Sequence, residues 1–244
     1  MRPLARLALL LGSFAAASPA IAGPPYETDD PEPTELGKWE IYAFSAIDGH
    51  RGDLDGAAGF DLNYGPVANV QLTATLPVGF AHVAGQTGWQ SGVGDIELGV
   101  KYRFFERKDA GLSAAIFPRV ILPTANRQFG TGRARLLLPL WVQKDCGAWS
   151  LFGGGGYQIN PGRGNRDFWQ AGAAVTRQIA PNWSIGGEVT RAGRDSDDAV
   201  ATTSLGLGSI IGLGGPWSLL LSGGPRFSRD QTAYHLYAAL GLNF

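Results

Sequence analysis

The stretch "SGVGDIELGVKYRFF", residues 91 to 105, alternates between apolar and charged residues, and this alternation limits the folds open to the chain. Ile96, Leu98, Val100, Tyr102 and Phe104 fall on one side, and Asp95, Glu97, Lys101 and Arg103 on the other. A period of two is that of a β-strand, whose successive side chains point to opposite faces. In a soluble sandwich the apolar face packs into a core. In a barrel that crosses a membrane it meets lipid, and the charges line a lumen.

The rest of the chain favours the second arrangement. Strands are predicted at 38–47, 54–64, 68–80, 92–105, 110–122, 133–144, 148–159, 167–179, 182–192, 199–211, 216–227 and 233–244, an even number of twelve. Most are longer than the usual strand of five or six residues and match a tilted bilayer crossing. The connections alternate: "YGPVAN", "ERKDAG", "KDCGA", "IAPN" and "LGGP" are tight, while "DGHRGDLD", "AHVAGQTGWQS", "PTANRQFGTGR", "NPGRGNRD" and "AGRDSDDA" are longer and polar. Short periplasmic turns with longer outer loops are the pattern of outer-membrane barrels. The 36 glycines, about twice the usual share, and only 17% charged residues also suit an all-β chain, a transmembrane antiparallel β-barrel.

A repeat supports the count. Trp149, Trp183 and Trp217 recur at intervals of 34 residues, each directly after a short turn. One hairpin thus fills one period, and the three rings are expected at a single level, the membrane interface. On this reading Asp95, Glu97, Lys101 and Arg103 point into the lumen, joined by Glu40, Asp61, Asn63, Gln71, Arg119, Arg135 and Glu188. These charges either line an open pore or pair with one another to fill a closed one.

The ends of the chain carry separate signals. Residues 1–22 read as a secretory signal peptide, with Arg2 and Arg6, an apolar run from Leu7 to Ala17 and a small-residue cleavage site ending at Ala22. Residues 23–37 form a Pro-rich acidic arm with Glu27, Asp29, Asp30, Glu32 and Glu35. It is expected to be extended, either as a solvated periplasmic leader or as a lumen plug in which Asp29 and Asp30 meet Lys101 or Arg103. The barrel is expected over 38–244, and its terminal Phe244 resembles the assembly signal read by the barrel-assembly machinery. Cys146 has no second cysteine to pair with and reads as a bystander thiol.

Other chemistries find little support. The net charge of −1, or −3 once Arg2 and Arg6 leave with the signal peptide, offers no basic footprint for nucleic acid. "FGGGGY" lacks the Lys and Ser/Thr of a phosphate-binding loop, no His/Cys/Asp cluster has metal-ligand spacing, and no cofactor is expected. His82 lies near the outer rim, where the phospholipase barrel keeps its catalytic His, but the position two residues on is Ala84 rather than Ser. Without a nucleophile and base in reach, no catalytic residue is assigned.

"GPPYETDDPEPTELGKWEIY", "NYGPVANVQLTATLPV" and "SGVGDIELGVKYRFF" together resemble an outer-membrane β-barrel family named for the meta-cleavage pathway of phenol degradation, whose members are labelled as transporters. The segment Thr28 to Pro31 and the run Gly94 to Gly99 are the most specific parts of the likeness. The resemblance implies a twelve-stranded barrel that passes aromatic compounds. The expected function is therefore a passive outer-membrane channel for small solutes, surrounded by outer-membrane lipid. The alternatives are a non-conducting barrel with a structural or surface-interaction role, or a lipid-acting hydrolase.

Overall fold

The computed structural model describes residues 24–126 and 128–244, so the signal peptide assigned to 1–22 lies outside the described residues. The wall consists of twelve β-strands. They are β1 (Trp39–His50), β2 (Asp53–Val67), β3 (Val70–His82), β4 (Gln90–Val93 continued by Glu97–Arg107), β5 (Leu112–Ile116 continued by Arg119–Ile121), β6 (Arg135–Cys146), β7 (Trp149–Ile159), β8 (Phe168–Ala180), β9 (Trp183–Ala192), β10 (Thr202–Gly214), β11 (Trp217–Phe227) and β12 (Thr232–Asn243). Each pairs antiparallel with its sequence neighbours, and β1 pairs with β12 from Glu40↔Asn243 to Gly49↔Tyr234. The barrel is closed by this seam, and among the described strands the short segment Gln90–Val93 pairs on one side only.

The polarity is inverted relative to a soluble protein. On β4, Leu98, Val100, Tyr102 and Phe104 are all exposed, whereas Lys101 is 3% exposed. The same inversion runs round the wall: Gln71, Gln143, Ser150, Thr176, Ser184 and Ser204 are buried, while Leu138, Leu151, Ile185 and Leu207 face out.

Three local departures from the sequence expectation have physical causes. The strand expected at 92–105 breaks between Val93 and Glu97, and the one at 110–122 breaks at Phe117 and Pro118. Pro118 has no N–H to give the ladder, so its carbonyl alone bonds, accepting from Val100 N. The break in β4 shifts the alternation by one, so that Val93 and Leu98 both face outward. The third departure is "DGHRGDLD", expected as a longer outer loop. Arg51 (φ 50°) and Gly52 (φ 96°) are both left-handed, which is the backbone of a two-residue hairpin turn, so β1 and β2 extend to His50 and Asp53.

Candidate functional site

The lumen is the concave site that the alternation builds. Along β1 to β4 its wall is a hydrogen-bonded polar network. Gln71 Nε2 donates to Asn63 Oδ1 (2.8 Å) and to Thr73 Oγ1 (2.9 Å), and Asp61 accepts from Thr75 Oγ1 (3.0 Å). Glu40 accepts from the Tyr42 hydroxyl at 3.2 Å. Glu97 pairs with Arg119 at 3.3 Å, and Asp95 with Arg135 at 3.0 Å. Asp95 and Glu97 thus find cations on the wall, while Glu40 and Asp61 accept from neutral wall groups.

Lys101, Arg103 and Glu188 instead meet the acidic arm, whose Tyr26, Thr28, Asp30 and Thr34 are buried within the barrel. Lys101 Nζ donates to Asp29 Oδ1 at 2.9 Å and stands 3.7 Å from Asp30 Oδ1. Arg103 pairs with Glu32, and Arg226, on β11, with Glu27. Glu188 accepts from Glu27 N (3.0 Å), Thr28 N (2.9 Å) and Thr28 Oγ1 (2.9 Å), so one carboxylate caps three donors of the arm. Thr34 N donates to Gln71 Oε1 at 2.8 Å. Tyr26, Thr28 and Asp30 of the arm are buried against these wall groups. Burial pushes the Asp30 carboxyl up to about 7, with Lys101 opposing the rise and Asp29 adding to it.

The wall opposite is shaped for the arm by missing side chains. Inward-facing Gly172 lies against Thr28, and Gly186 and Gly208 against Tyr26. A Cβ at Gly208 would come within 2.5 Å of the Tyr26 ring, whose atoms are its nearest neighbours. Tyr26 packs edge-on against Phe152 at 6.1 Å between ring centroids, with Ala174 beside them.

Sequence reasoning expected a polar lumen and missed its apolar sector. Phe117, Leu137, Trp141 and Phe152 are all buried at inward positions on or beside β5, β6 and β7. Phe117 carries the guanidinium of Arg119 over its ring at 4.7 Å. The inward parity of Leu137 and Trp141 is legible in "RLLLPLWVQ" only once the register of β6 is known, because apolar residues occupy both faces there. Phe129, from the loop between β5 and β6, tucks over Gly79 and Gly92. With the arm in place, a cavity of about 150 Å³ remains between arm and wall, and a vestibule of about 650 Å³ opens at the end where β1 begins and β12 ends.

The rims carry aromatic rings. Trp149, Trp183 and Trp217 are outward-facing and open their strands beside the two-residue turns, and Trp39 does the same on β1, stacked on Tyr64 at 4.7 Å. At the opposite rim Trp169 packs on Tyr157 at 5.0 Å, and Trp89 on His82 at 5.2 Å. On β7, Trp149 and Tyr157 are both outward and eight residues apart. At about 3.3 Å per residue and a tilt of about 40° that is about 20 Å of apolar band, close to the height of an outer-membrane belt. Phe244 is exposed beside the seam, its N–H donating to Trp39 O at 3.0 Å. His82 bonds the Gly88 carbonyl, His50 that of Thr232, and His235 is buried in the wall.

A closed, twelve-stranded barrel with an apolar exterior, aromatic rims and a charged interior is a bacterial outer-membrane β-barrel. The chain belongs to the family described as "Putative MetA-pathway of phenol degradation", whose profile matches residues 37–244. An outer membrane channel from Pseudomonas putida F1 has the same fold, with a TM-score of 0.70 at 16% identity over 88% of this chain and 98% of that one. The translocator domain of the autotransporter NalP from Neisseria meningitidis is a more distant likeness, with a TM-score of 0.52 at 14% identity over 86% of this chain and 90% of that one. No curated protein matches the chain in sequence.

Proposed function

We propose that this protein is a passive outer-membrane channel for small solutes, aromatic ones among them, and that its acidic arm occupies the lumen in the closed state. The observation that carries this reading is that the lumen is filled by a separable segment and not by the wall. Lys101, Arg103 and Arg226 find carboxylates on the arm, and Gly172, Gly186 and Gly208 leave the room that it takes. A purely structural barrel would be filled by its own inward side chains. Withdrawing the arm would leave a passage with a charged side and an aromatic side. Phe117, Trp141 and Phe152 offer rings and edges to a small aromatic solute, which suits a family named for phenol degradation. The Pseudomonas putida neighbour is itself described as an outer membrane channel, and no catalytic step is part of this reading. Outer-membrane lipid surrounds the wall, and Phe244 is the residue proposed to engage the barrel-assembly machinery.

Uptake of a labelled aromatic carboxylate into proteoliposomes, compared with a sugar of similar size, tests the reading. Flux above that of empty liposomes, larger for the aromatic solute, is expected. Flux equal to empty liposomes, both for the full chain and for a chain lacking residues 26–35, would favour the non-conducting barrel.

A further inference from the structure

The outward surface of β9, β10 and β11 carries a feature that solute passage does not use. At the outer rim, Arg191 is paired in register with Thr203, and Thr203 with Phe227. Together with Arg194 and Arg229 from the adjoining loops they line a cleft of about 510 Å³. Asp195, Asp198 and Asp230 belong to the same loops but do not line it. Arg191 Nη1 donates to Thr203 Oγ1 at 2.8 Å. Among the described residues none of the three arginines is ion-paired, whereas Arg166, one loop away, is held by Asp197 at 2.6 Å. Three unpaired guanidinium groups around one cleft repel one another and attract a multivalent anion, and phosphate fits their planar donors best.

The surface below the cleft is apolar. Two residues down the same strands, about 5 Å towards the bilayer centre at a tilt of about 40°, Val189, Leu205 and Pro225 begin a groove of about 660 Å³. The groove is hollow because outward positions Gly187 and Gly223 lack side chains, and Leu207 on its wall is 77% exposed. Cationic cleft and apolar groove are thus stacked between the outer rim and the bilayer centre, at the end opposite the one where β1 begins and β12 ends.

We infer that this stack is a binding site for one molecule of the phosphorylated, acylated glycolipid of the outer leaflet, with its phosphate on Arg191, Arg194 and Arg229 and an acyl chain in the groove over Gly187. The inference rests on the outer-membrane placement of the barrel and is independent of whether the lumen conducts. A second copy of the chain would bring the same three arginines to the contact. A phosphate-bearing lipid satisfies both halves of the surface.

Native mass spectrometry of the full chain in detergent, with bisphosphorylated hexa-acyl lipid A added, tests it. The intact chain is expected to retain one lipid A, and to bind the fully dephosphorylated lipid about ten-fold more weakly or worse, as the loss of charge-assisted arginine–phosphate bonds implies. Inorganic phosphate alone should not compete at millimolar concentration, because it lacks the acyl anchor. The triple substitution Arg191→Gln, Arg194→Gln, Arg229→Gln should lose the bound lipid and keep its heat-modifiable fold, while Arg163→Gln, elsewhere on the rim, should retain it. Gly187→Leu should weaken binding from the acyl side. Its Cβ would meet Gly206 O at 3.4 Å and Leu207 Cδ2 at 3.5 Å, both ordinary contacts, so the wall accommodates it. Equal retention of phosphorylated and dephosphorylated lipid by the unaltered chain would overturn the proposal without any variant. Lipid retention by the folded triple variant, or a dimer that buries the groove, would also overturn it.

Discussion

On β4, Val100 and Lys101 are chain neighbours set in opposite media. Val100 is 43% exposed and faces hydrocarbon, and Lys101 is 3% exposed and faces Asp29 and Asp30. In a soluble protein these exposures would mark a misplaced valine and a costly lysine. Here they show that the cost of a residue is set by what lies across from it: lipid tails tolerate no charge, whereas a lumen tolerates charge wherever a partner is supplied.

The contrast is broken most severely by Val100→Arg. A guanidinium at mid-strand on the lipid face should cost about 2–4 kcal/mol, so little heat-modifiable protein should accumulate in the outer membrane. Normal assembly would mean that the faces are assigned backwards. Lys101→Glu, one residue on, should assemble normally yet set a carboxylate against Asp29 and Asp30, driving the arm out. Larger current with a preference for cations is the expected result in planar bilayers, and unchanged current would show that these ion pairs do not hold the arm. A smaller change is expected from Gly208→Leu, because the atoms nearest its Cβ belong to the Tyr26 ring of the arm and not to the wall backbone. Current should rise part of the way, and Tyr26→Ala in the same chain should relieve the crowding without reseating the ring.

The smallest effect concerns pH. The docked Asp30 carboxyl sits near 7, above the roughly 3.9 of a solvated aspartate, so between these values the docked arm holds a proton that the released arm gives up. Docking is therefore favoured as pH falls below about 7 and weakened as pH rises through it. Docking should weaken by no more than about ten-fold between pH 6 and pH 8, current should rise with it, and Asp30→Asn should flatten the profile. A profile of opposite slope would assign the titration to another group.

The regular part of this molecule was legible in the sequence, and the reason is visible in β7 to β12. Each hairpin there repeats the spacing of Trp149, Trp183 and Trp217, the ladders run with few interruptions, and the outward face stays apolar even where Phe152, Leu220 and Ala239 interrupt the polar inward face. Period and spacing are local properties, so one sequence suffices to read them. Reading fails between β3 and β6, where Pro118 and the segment between Val93 and Glu97 break the period and the loop between β5 and β6 folds inward. The site was half legible. The charges of the wall follow from parity, but the residence of the arm depends on contacts such as Thr28 to Glu188, which span 160 residues and leave no periodic trace. Acidic Pro-rich composition reads as solvated by default, and only the facing Lys101, Arg103 and Arg226 override it.

The central claim, that the acidic arm closes a conducting lumen, is tested most directly by planar-bilayer current through the full chain and through the same chain lacking residues 26–35. The deletion removes Tyr26, Thr28, Asp29, Asp30 and Glu32 together, leaving the strands from Trp39 onward intact. The account predicts small, intermittent currents for the full chain and sustained, larger ones for the deletion at equal amounts of folded barrel. Equal currents from the two proteins, or none from either, would contradict it.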